Sequence, residues 1–368
     1  MHGGSSGGAP GAGAGTATVT GLEPAAGGPA EVRPLDELDR RIVSALQLDG
    51  RASWTAVAER CGTSVPTVAR RAERLFADGV IRVAVMPEVG ADGPSESFVL
   101  RVTCRPGQQM RAMEELAAMA EVRFLALVTG EDDIVAECVI PRGASLFEHL
   151  VDAVQRLEGV ERCRSDLLLH VYKVAHDWSR QLLGEGDAAS AATHPHCQPA
   201  HFDDTDRAML ALLREDGRAS FRALAQELGL NESTVRRRLE RLQIGGCVAV
   251  VTLVPAAALG LESETLLRIS VTPSRLGEVA AALASYRSVR YLAATLDGSS
   301  LLCEVIAEST EDLFSFTTQV LAPLPGVLGW AAAMEVMVAK RGFVTTPWWE
   351  ERVRRASRPL AVEGRRGA

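Results

Sequence analysis

Apolar residues recur at helical spacing in a short stretch that occurs twice in the chain. The two copies are residues 64–75 (SVPTVARRAERL) and 231–242 (NESTVRRRLERL). In both, the apolar positions follow the i, i+4, i+7 spacing of a buried helical stripe. These positions are Val68, Ala72 and Leu75, with Val235, Leu239 and Leu242. Ser64 and Asn231 stand before the stripes and carry side-chain oxygens suited to helix N-caps. The pattern predicts two amphipathic helices.

The face opposite each stripe is polar and rich in arginine. Short polar side chains near a helix start can reach base edges or phosphates, and arginine can bind phosphate or guanine. We therefore predict that both helices lie on DNA. The predicted contact residues are Ser64, Thr67, Arg70, Arg71 and Arg74 in the first copy, and Asn231, Ser233, Thr234, Arg237, Arg238 and Arg241 in the second. The alternative for a single copy is a surface helix with solvated arginines.

The residues before each copy favour the DNA-binding interpretation. Residues 36–48 carry an apolar face after acidic residues that suit a helix N-terminus, and Ser53 caps a short pattern over residues 54–61. A turn containing glycine at residues 62–63 leads into the third helix. Three short helices in this order predict a helix-turn-helix. The apolar run 80–85 predicts the exit strand, or wing.

Strand and helix patterns alternate beyond a turn-rich connector at residues 87–96. The predicted strands are 97–104, 122–128, 134–140 and about 160–174, and the predicted helices are 108–120 and 145–157. The order βαββαβ is that of a ferredoxin-like α+β sandwich.

The whole pattern returns 167 residues later, almost without gaps: Asp49-Gly50-Arg51, for example, becomes Asp216-Gly217-Arg218. One offset that holds across both domains indicates duplication of a two-domain unit. The expected fold class is α+β, with two copies of a winged helix-turn-helix domain followed by a βαββαβ ferredoxin-like α/β sandwich domain. The expected segments are a disordered tail (1–34), helix-turn-helix domains (35–86 and 202–253), ferredoxin-like domains (97–177 and 264–347), a linker (178–201) and a basic tail (348–368).

Composition limits the classes of partner and compartment. The net charge of −8 argues against indiscriminate nucleic-acid binding, so a basic surface has to be local. Seven cysteines without CxxC spacing suit a reducing cytosol, and no apolar run is long enough to span a membrane. The first 34 residues lack the features of a secretory signal. We expect a cytoplasmic protein.

The combined pattern resembles the Lrp/AsnC family of feast/famine regulators. The resemblance covers about residues 35–178 (repeat 1) and 202–347 (repeat 2). The matching residues are Leu38, Asp39, Asp49, Gly50, Arg51, Val68, Arg71, Arg74, Leu75, Gly79, Val80 and Ile81 in repeat 1, and Asp206, Asp216, Gly217, Arg218, Val235, Arg238, Arg241, Leu242 and Gly246 in repeat 2. It implies a transcription regulator that binds double-stranded DNA and self-associates through its α/β domains.

Because family members usually carry one unit per chain and dimerise, the resemblance also implies a covalent pseudo-dimer here. Its two exit strands, 80–85 and 247–253, would then pair with each other. The two recognition helices differ, since Val65-Pro66 stands where repeat 2 has Glu232-Ser233. The expected operator is therefore imperfect and asymmetric.

An effector site for an amino acid or related small metabolite is implied at a turn of repeat 1. Thr129, Gly130 and Asp133 resemble the family's Gly-x-x-Asp turn, in which an acidic group could pair with an α-ammonium. In repeat 2, Ser300 stands in place of Asp133. The alternative for both repeats is an ordinary hairpin turn.

Two other functions remain as alternatives. Sirohaem decarboxylases are relatives of this family that keep its fold and act on tetrapyrroles, although the duplicated arginine-bearing helices favour a regulator over an enzyme. A ligand-binding module that has lost DNA binding is the other. The linker cluster His194, His196, Cys197 and His201 could ligate a metal but matches no standard spacing, so no metal or cofactor is predicted.

Overall fold

The computed structural model describes residues 35–152, 154, 156–179, 202–298 and 300–356. Repeat 1 contains α1 (Glu37–Leu48), α2 (Trp54–Cys61), α3 (Val65–Ala77), β1 (Arg82–Pro87), β2 (Ser95–Cys104), α4 (Gln109–Ala118), β3 (Val122–Val128), β4 (Ile134–Pro141), a π-helical segment (Phe147–Asp152) and β5 (Val160–Val174). Repeat 2 contains α5 (Asp204–Glu215), α6 (Phe221–Leu228), α7 (Glu232–Ile244), β6 (Val248–Leu253), β7 (Ser263–Val271), α8 (Leu276–Ala284), β8 (Val289–Thr295), β9 (Leu301–Ala307), α9 (Thr310–Ser315), a π-helical segment (Phe316–Leu321), β10 (Val327–Arg341), β11 (Val344–Thr345) and α10 (Pro347–Ala356). The predicted fold class and duplication are confirmed.

Each helix-turn-helix domain forms around the predicted stripe. Val68, Ala72 and Leu75 of α3 are almost fully buried against α1 and α2. Short helices need their first N–H groups satisfied, and the Ser53 hydroxyl accepts from the N–H of Ala56 at the start of α2. The expectation for α3 and α7 was wrong in one detail. Neither Ser64 nor Asn231 makes a side-chain capping hydrogen bond.

Eight antiparallel strands close into a barrel at the centre of the molecule. Their cyclic order is β2, β5, β8, β9, β7, β10, β3, β4 and back to β2. Successive side chains of a strand point to opposite faces. In β2, Val99 therefore faces the barrel interior, whereas Leu100 and Val102 pack against the helices outside. Sequence patterns showed the alternation but not this closure, which requires strands of both repeats.

The last strand of each repeat joins the two ferredoxin-like domains. β5 lies between β2 of its own repeat and β8 of repeat 2, and β10 lies between β7 and β3 in the equivalent way. A buried lysine reinforces each of these connections between the repeats. Lys173 Nζ donates to the carbonyl of Tyr286 and Lys340 Nζ to that of Met119, both at 2.7 Å. These two contacts are equivalent under the 167-residue offset.

The exit strands β1 and β6 pair within the chain, as the pseudo-dimer hypothesis required. In their register, Ala84 lies opposite Val251. These are equivalent positions of the two repeats, so a pseudo-two-fold axis passes between them. The predicted intramolecular pairing of the exit strands is confirmed.

Reciprocal arginine contacts hold the two helix-turn-helix domains together. Arg51 donates to the carbonyls of Gly217 and Ala219, and its guanidinium lies 4.6 Å from the centre of the Phe221 ring. Arg218 makes the equivalent bonds to the carbonyls of Gly50 and Ala52 and lies over the ring of Trp54. The repeated Asp-Gly-Arg sequence thus sets the relative position of the two domains.

The C-terminal residues, which were expected only to form a basic tail, contain a helix as far as the structure describes them. Pro347–Ala356 form α10, in which Trp349 is buried and Glu350 pairs with Arg82 at 2.6 Å. The cluster of histidines and Cys197 predicted in the linker lies outside the described residues, as do residues 1–34. None of the described helices is long and apolar enough to cross a membrane.

We predict that Gly217→Ala lowers the free energy of unfolding by about 2 kcal/mol, because a Cβ there would lie 2.7 Å from backbone atoms of Val83 and Ala84. Gly50→Ala, at the equivalent position, would meet side-chain atoms only: methyl groups of Val83 and Val250 at 2.9 Å and the Thr252 hydroxyl at 3.4 Å. Side chains can adjust more easily than backbone atoms, so its cost should be smaller. Urea denaturation followed by tryptophan fluorescence measures both. Gly277→Ala, which meets no atom within 4 Å, is the control. Equal losses in all three variants would contradict this explanation.

Candidate nucleic-acid interface and ligand-binding cavities

The first turns of α3 and α7 project polar side chains from the surface. Ser64 is exposed and its hydroxyl is 2.8 Å from that of the half-buried Thr67. In repeat 2, Asn231 and Ser233 are exposed and Thr234 is half-buried. Arg70 and Arg237 are exposed, and no carboxylate among the described residues pairs with either. These residues form the part of the predicted interface that is available to a ligand.

Arg71 and Arg74 instead connect the recognition helix to α1. Arg71 Nη1 donates to Asp36 Oδ2 at 2.5 Å and to Asp39 Oδ1 at 2.9 Å. Arg74 donates to the other oxygen of Asp39 at 2.8 Å. The hydrogen bond from Arg71 holds the pKa of Asp36 below its usual value. These arginines therefore have a structural role that local sequence patterns do not indicate.

Repeat 2 has the same arrangement. Arg238 donates to Asp203 and Asp206, and Arg241 donates to Asp206, at 2.6 to 2.9 Å. Asp206 is fully buried, so these bonds supply the partners that a buried carboxylate needs. Arg74 and Arg241 keep 48% and 56% of their side chains exposed. DNA contact by Arg74 and Arg241 stays a prediction, whereas the more buried Arg71 and Arg238 are engaged by the acidic residues of the first helix in each domain.

The two recognition helices differ in charge near their starts. In α7, Arg236 pairs with Glu232 at 3.2 Å and covers the ring of Phe221. Ala69 and Val65 occupy the equivalent positions in α3. An acidic side chain thus lies at the start of one helix and an apolar one at the start of the other.

The predicted effector turn of repeat 1 is largely used by the fold. Asp133 accepts from the backbone N–H of Cys104 at 2.7 Å and from the side chain of Gln109 at 3.4 Å. The Thr129 hydroxyl accepts from the N–H of Met334 in β10. Gly130, by contrast, lines a cavity inside the barrel. The turn therefore contributes to a cavity, but not through the Asp133 carboxylate.

This space, called here the axial cavity, has a volume of about 350 Å³ and opens at the end of the barrel away from β1 and β6. Its apolar walls include Val99, Val135, Leu266 and Leu302. Its charged lining consists of Arg101, Glu131, Asp132, Asp166, Arg268 and Asp297. None of these six charged residues was predicted from the sequence. The available signal was a single arginine inside an apolar strand pattern, present at equivalent positions as Arg101 and Arg268.

A smaller cavity of about 90 Å³ lies at the other end of the barrel, facing β6. Three carboxyl groups, of Glu264, Glu304 and Glu335, approach within 4.8 Å of one another beside it. Burial alone would raise the pKa of Glu304, but Arg290 and Arg341 more than offset this and hold it well below its usual value. Burial and the nearby Glu304 carboxylate raise the pKa of Glu335 well above its usual value. Glu335 is therefore the member of the cluster whose surroundings favour the protonated form, although its carboxyl group also lies 3.3 Å from Arg341.

Comparisons with known proteins agree with this architecture. The model of the AsnC-type helix-turn-helix domain matches residues 35–75 and 202–243, and that of the Lrp/AsnC ligand binding domain matches residues 97–177. An uncharacterized HTH-type transcriptional regulator of Pyrococcus furiosus is 32% identical over 140 residues, which are 38% of this chain and 95% of that protein. The chain belongs to the Lrp/AsnC family. The leucine-responsive regulatory protein of Rhizobium meliloti is 31% identical over 149 residues, covering 38% of this chain and 93% of that protein.

Solved structures of one protein among those compared resemble this Lrp/AsnC chain across both repeats. The siroheme decarboxylase NirDL aligns with a TM-score of 0.56 over 88% of this chain and 100% of its own, at 12% identity. At that identity the likeness concerns the fold alone. It shows that the complete two-unit arrangement occurs in another protein.

We predict opposite effects for two neutral substitutions in the buried carboxyl cluster of this Lrp/AsnC protein. Glu335 has a raised pKa in the folded state, so its protonated form stabilises the fold at low pH and that contribution is lost as the pH rises. Glu335→Gln should therefore match the wild type below about pH 4 and exceed its stability increasingly above about pH 5.

Glu304→Gln should lower the free energy of unfolding at pH 7 by about 3 kcal/mol, because it removes the carboxylate that pairs with Arg290 and Arg341. The Glu304 pKa is lowered, so this loss should shrink as the pH falls below about 4. Urea denaturation at a series of pH values measures both variants. A destabilised Glu335→Gln at pH 7 would show that Glu335 is ionised.

Proposed function

We propose that this Lrp/AsnC protein binds double-stranded DNA sequence-specifically with two unequal recognition helices supplied by one chain. The supporting observation is the pair of exposed helix starts, each with an unpaired arginine, on two domains fixed by the Arg51 and Arg218 contacts. The proposed contact residues are Ser64, Thr67, Arg70, Asn231, Ser233, Thr234 and Arg237. Arg74 and Arg241 are proposed to reach phosphates from the edge, since about half of each side chain is exposed.

Arg70→Ala and Arg237→Ala should each weaken DNA binding and reduce its dependence on log salt concentration by about one unit of slope, because each removes one phosphate contact. The measurement is fluorescence anisotropy at several salt concentrations, on DNA selected by the protein from a random pool. Neither change should alter the free energy of unfolding, because neither arginine has a partner among the described residues.

Arg71→Ala and Arg238→Ala are the matched neighbours. Each should lower the free energy of unfolding by about 2 kcal/mol, because it removes a partner of the buried Asp39 or Asp206. Each should leave the salt slope of DNA binding unchanged. If the neighbours changed the slope and Arg70 or Arg237 did not, the assignment of the contacts would be wrong.

The two half-sites of the selected DNA should differ in sequence and lie about one helical turn, or a multiple of it, apart. Replacing Val65-Pro66 by Glu-Ser should make α3 resemble α7 at these positions and shift the selected half-sites towards symmetry. Sequencing of the selected DNA, with footprinting of the best sites, measures this. A perfect palindrome selected by the wild type would contradict unequal recognition.

A tetrapyrrole enzyme is the second candidate, supported by the fold shared with siroheme decarboxylase. The charges of the axial cavity disfavour that space as a tetrapyrrole site. The axial cavity contains four carboxylates and two guanidinium groups, a lining that would repel a polycarboxylate such as sirohaem. Purified protein that takes up an iron tetrapyrrole and binds no DNA would reverse this preference. Self-association through the α/β domains stays a prediction.

A further inference from the structure

We propose that the axial cavity is a single, asymmetric binding site for a small aliphatic molecule with net positive charge, carrying an amine at one end and an oxygen acceptor at the other. The inference deepens the proposed function in one respect, since it takes the ferredoxin-like domains as the part of a DNA-binding regulator that senses a ligand.

The cavity lies on the pseudo-two-fold axis. Equivalent residues of the two repeats face each other across it, as Val99 and Leu266 do in its wall and Arg101 and Arg268 do nearer the opening. A site on the axis is formed once per chain, whereas a site inside either domain would occur twice. The expected stoichiometry is therefore one ligand per chain.

The charged lining departs from the pseudo-symmetry. Asp166 is matched across the axis by Ala333, and Asp297 is matched by Gly130. Small residues on one side and carboxylates on the other leave room for a ligand and fix its orientation. A homodimer of identical units could not place different residues on the two sides of its axis, whereas a fused chain can.

The charges favour a cation. Four carboxylates and two guanidinium groups give the lining a formal charge of −2. Arg268 pairs with Glu131 at 3.0 Å, and Arg101 is shared between Asp166 at 2.5 Å and Asp297 at 3.6 Å. Asp132 adds a further carboxylate on the repeat 1 side. A protonated amine would offset this excess of negative charge and form charge-assisted hydrogen bonds.

Arg101 supplies the second recognition element. Its side chain is only 7% exposed, its Nε donates no hydrogen bond within the protein, and its Nη1 has only the Asp297 carboxylate, at 3.6 Å, beyond hydrogen-bond distance. Unsatisfied donors on a buried cation are costly, so a carboxylate or amide oxygen placed here would be stabilised. The space of about 350 Å³ between these groups has aliphatic walls and suits a short methylene chain.

Isothermal titration calorimetry of the full chain, without DNA, tests the site with three probes that share a methylene chain. L-lysine has the amine, the carboxylate and a net positive charge; L-norleucine lacks the side-chain amine, and cadaverine lacks the carboxylate. We expect L-lysine to bind with a stoichiometry of one per chain. It should bind about tenfold more tightly than either of the other probes, because each lacks one charge-assisted contact.

Three variants assign the contacts. Asp132→Asn, on the rim of the cavity, should weaken L-lysine about tenfold and leave norleucine unchanged. Arg101→Gln should remove the preference for L-lysine over cadaverine. Arg268→Gln, the equivalent change in repeat 2, should keep that preference because Arg268 is already paired with the exposed Glu131. Circular dichroism reports whether each variant is folded.

Several outcomes would overturn the proposal. They are two sites per chain, norleucine binding as tightly as L-lysine, or Asp132→Asn and Arg101→Gln that bind all three probes like the wild type. Protein that binds selected DNA but takes up none of the probes would remove the ligand site and leave the DNA-binding proposal intact. Protein that binds L-lysine as expected but binds no DNA would support the ligand site and contradict the DNA-binding proposal.

Discussion

The rest of the molecule depends on one kind of contact, in which the last strand of each repeat pairs with a strand of the other repeat. A ferredoxin-like sheet covered by helices on one face leaves its other face in need of a partner. β5 and β10 supply the edges through which the two open sheets become one barrel, and they bury Val99, Leu266 and their neighbours inside it. This closure forms both cavities and the buried carboxyl cluster. It also places the barrel on the same pseudo-two-fold axis as the two helix-turn-helix domains.

Arginine serves three different purposes in the helix-turn-helix pair. Arg51 and Arg218 bind carbonyl groups across the axis, Arg71 and Arg238 join the recognition helix to the first helix of its domain, and Arg70 and Arg237 remain exposed. Only the environment separates these roles, because adjacent residues of one helix face in different directions. Arg70 and Arg71 lie on different sides of α3 and therefore meet water and a buried carboxylate, respectively.

Much of the architecture could be predicted from the sequence, because local patterns carry it. The apolar stripe of α3, the strand alternations and the fixed offset gave the elements, their order and the duplication. The roles of individual charged residues could not be predicted in this way. Asp39 and Asp133 have partners 32 and 29 residues away, and the Arg51 contact spans 168 residues. Such pairings depend on the tertiary fold, and a single sequence does not reveal them.

The axial cavity eluded prediction for a related reason. Its lining combines residues of β2, the turn after β3, β5, β7 and β10, which come together only when the barrel closes. The Gly-x-x-Asp turn directed attention to Asp133, whose carboxylate completes a backbone hydrogen bond instead. Its neighbour Asp132 lines the cavity, so this turn contributes a different carboxylate from the one that the sequence pattern indicated.

Because β1 and β6 belong to one chain, their pairing is part of folding and does not require two molecules to meet. A regulator built from separate subunits dissociates on dilution and then no longer has two helix-turn-helix domains side by side. The fraction of paired domains therefore varies with the concentration of the protein. Here the covalent connection sets the effective concentration of one helix-turn-helix domain for the other, which is the same however many molecules are present. The chain can therefore present both helix-turn-helix domains to DNA even when only a few molecules are present.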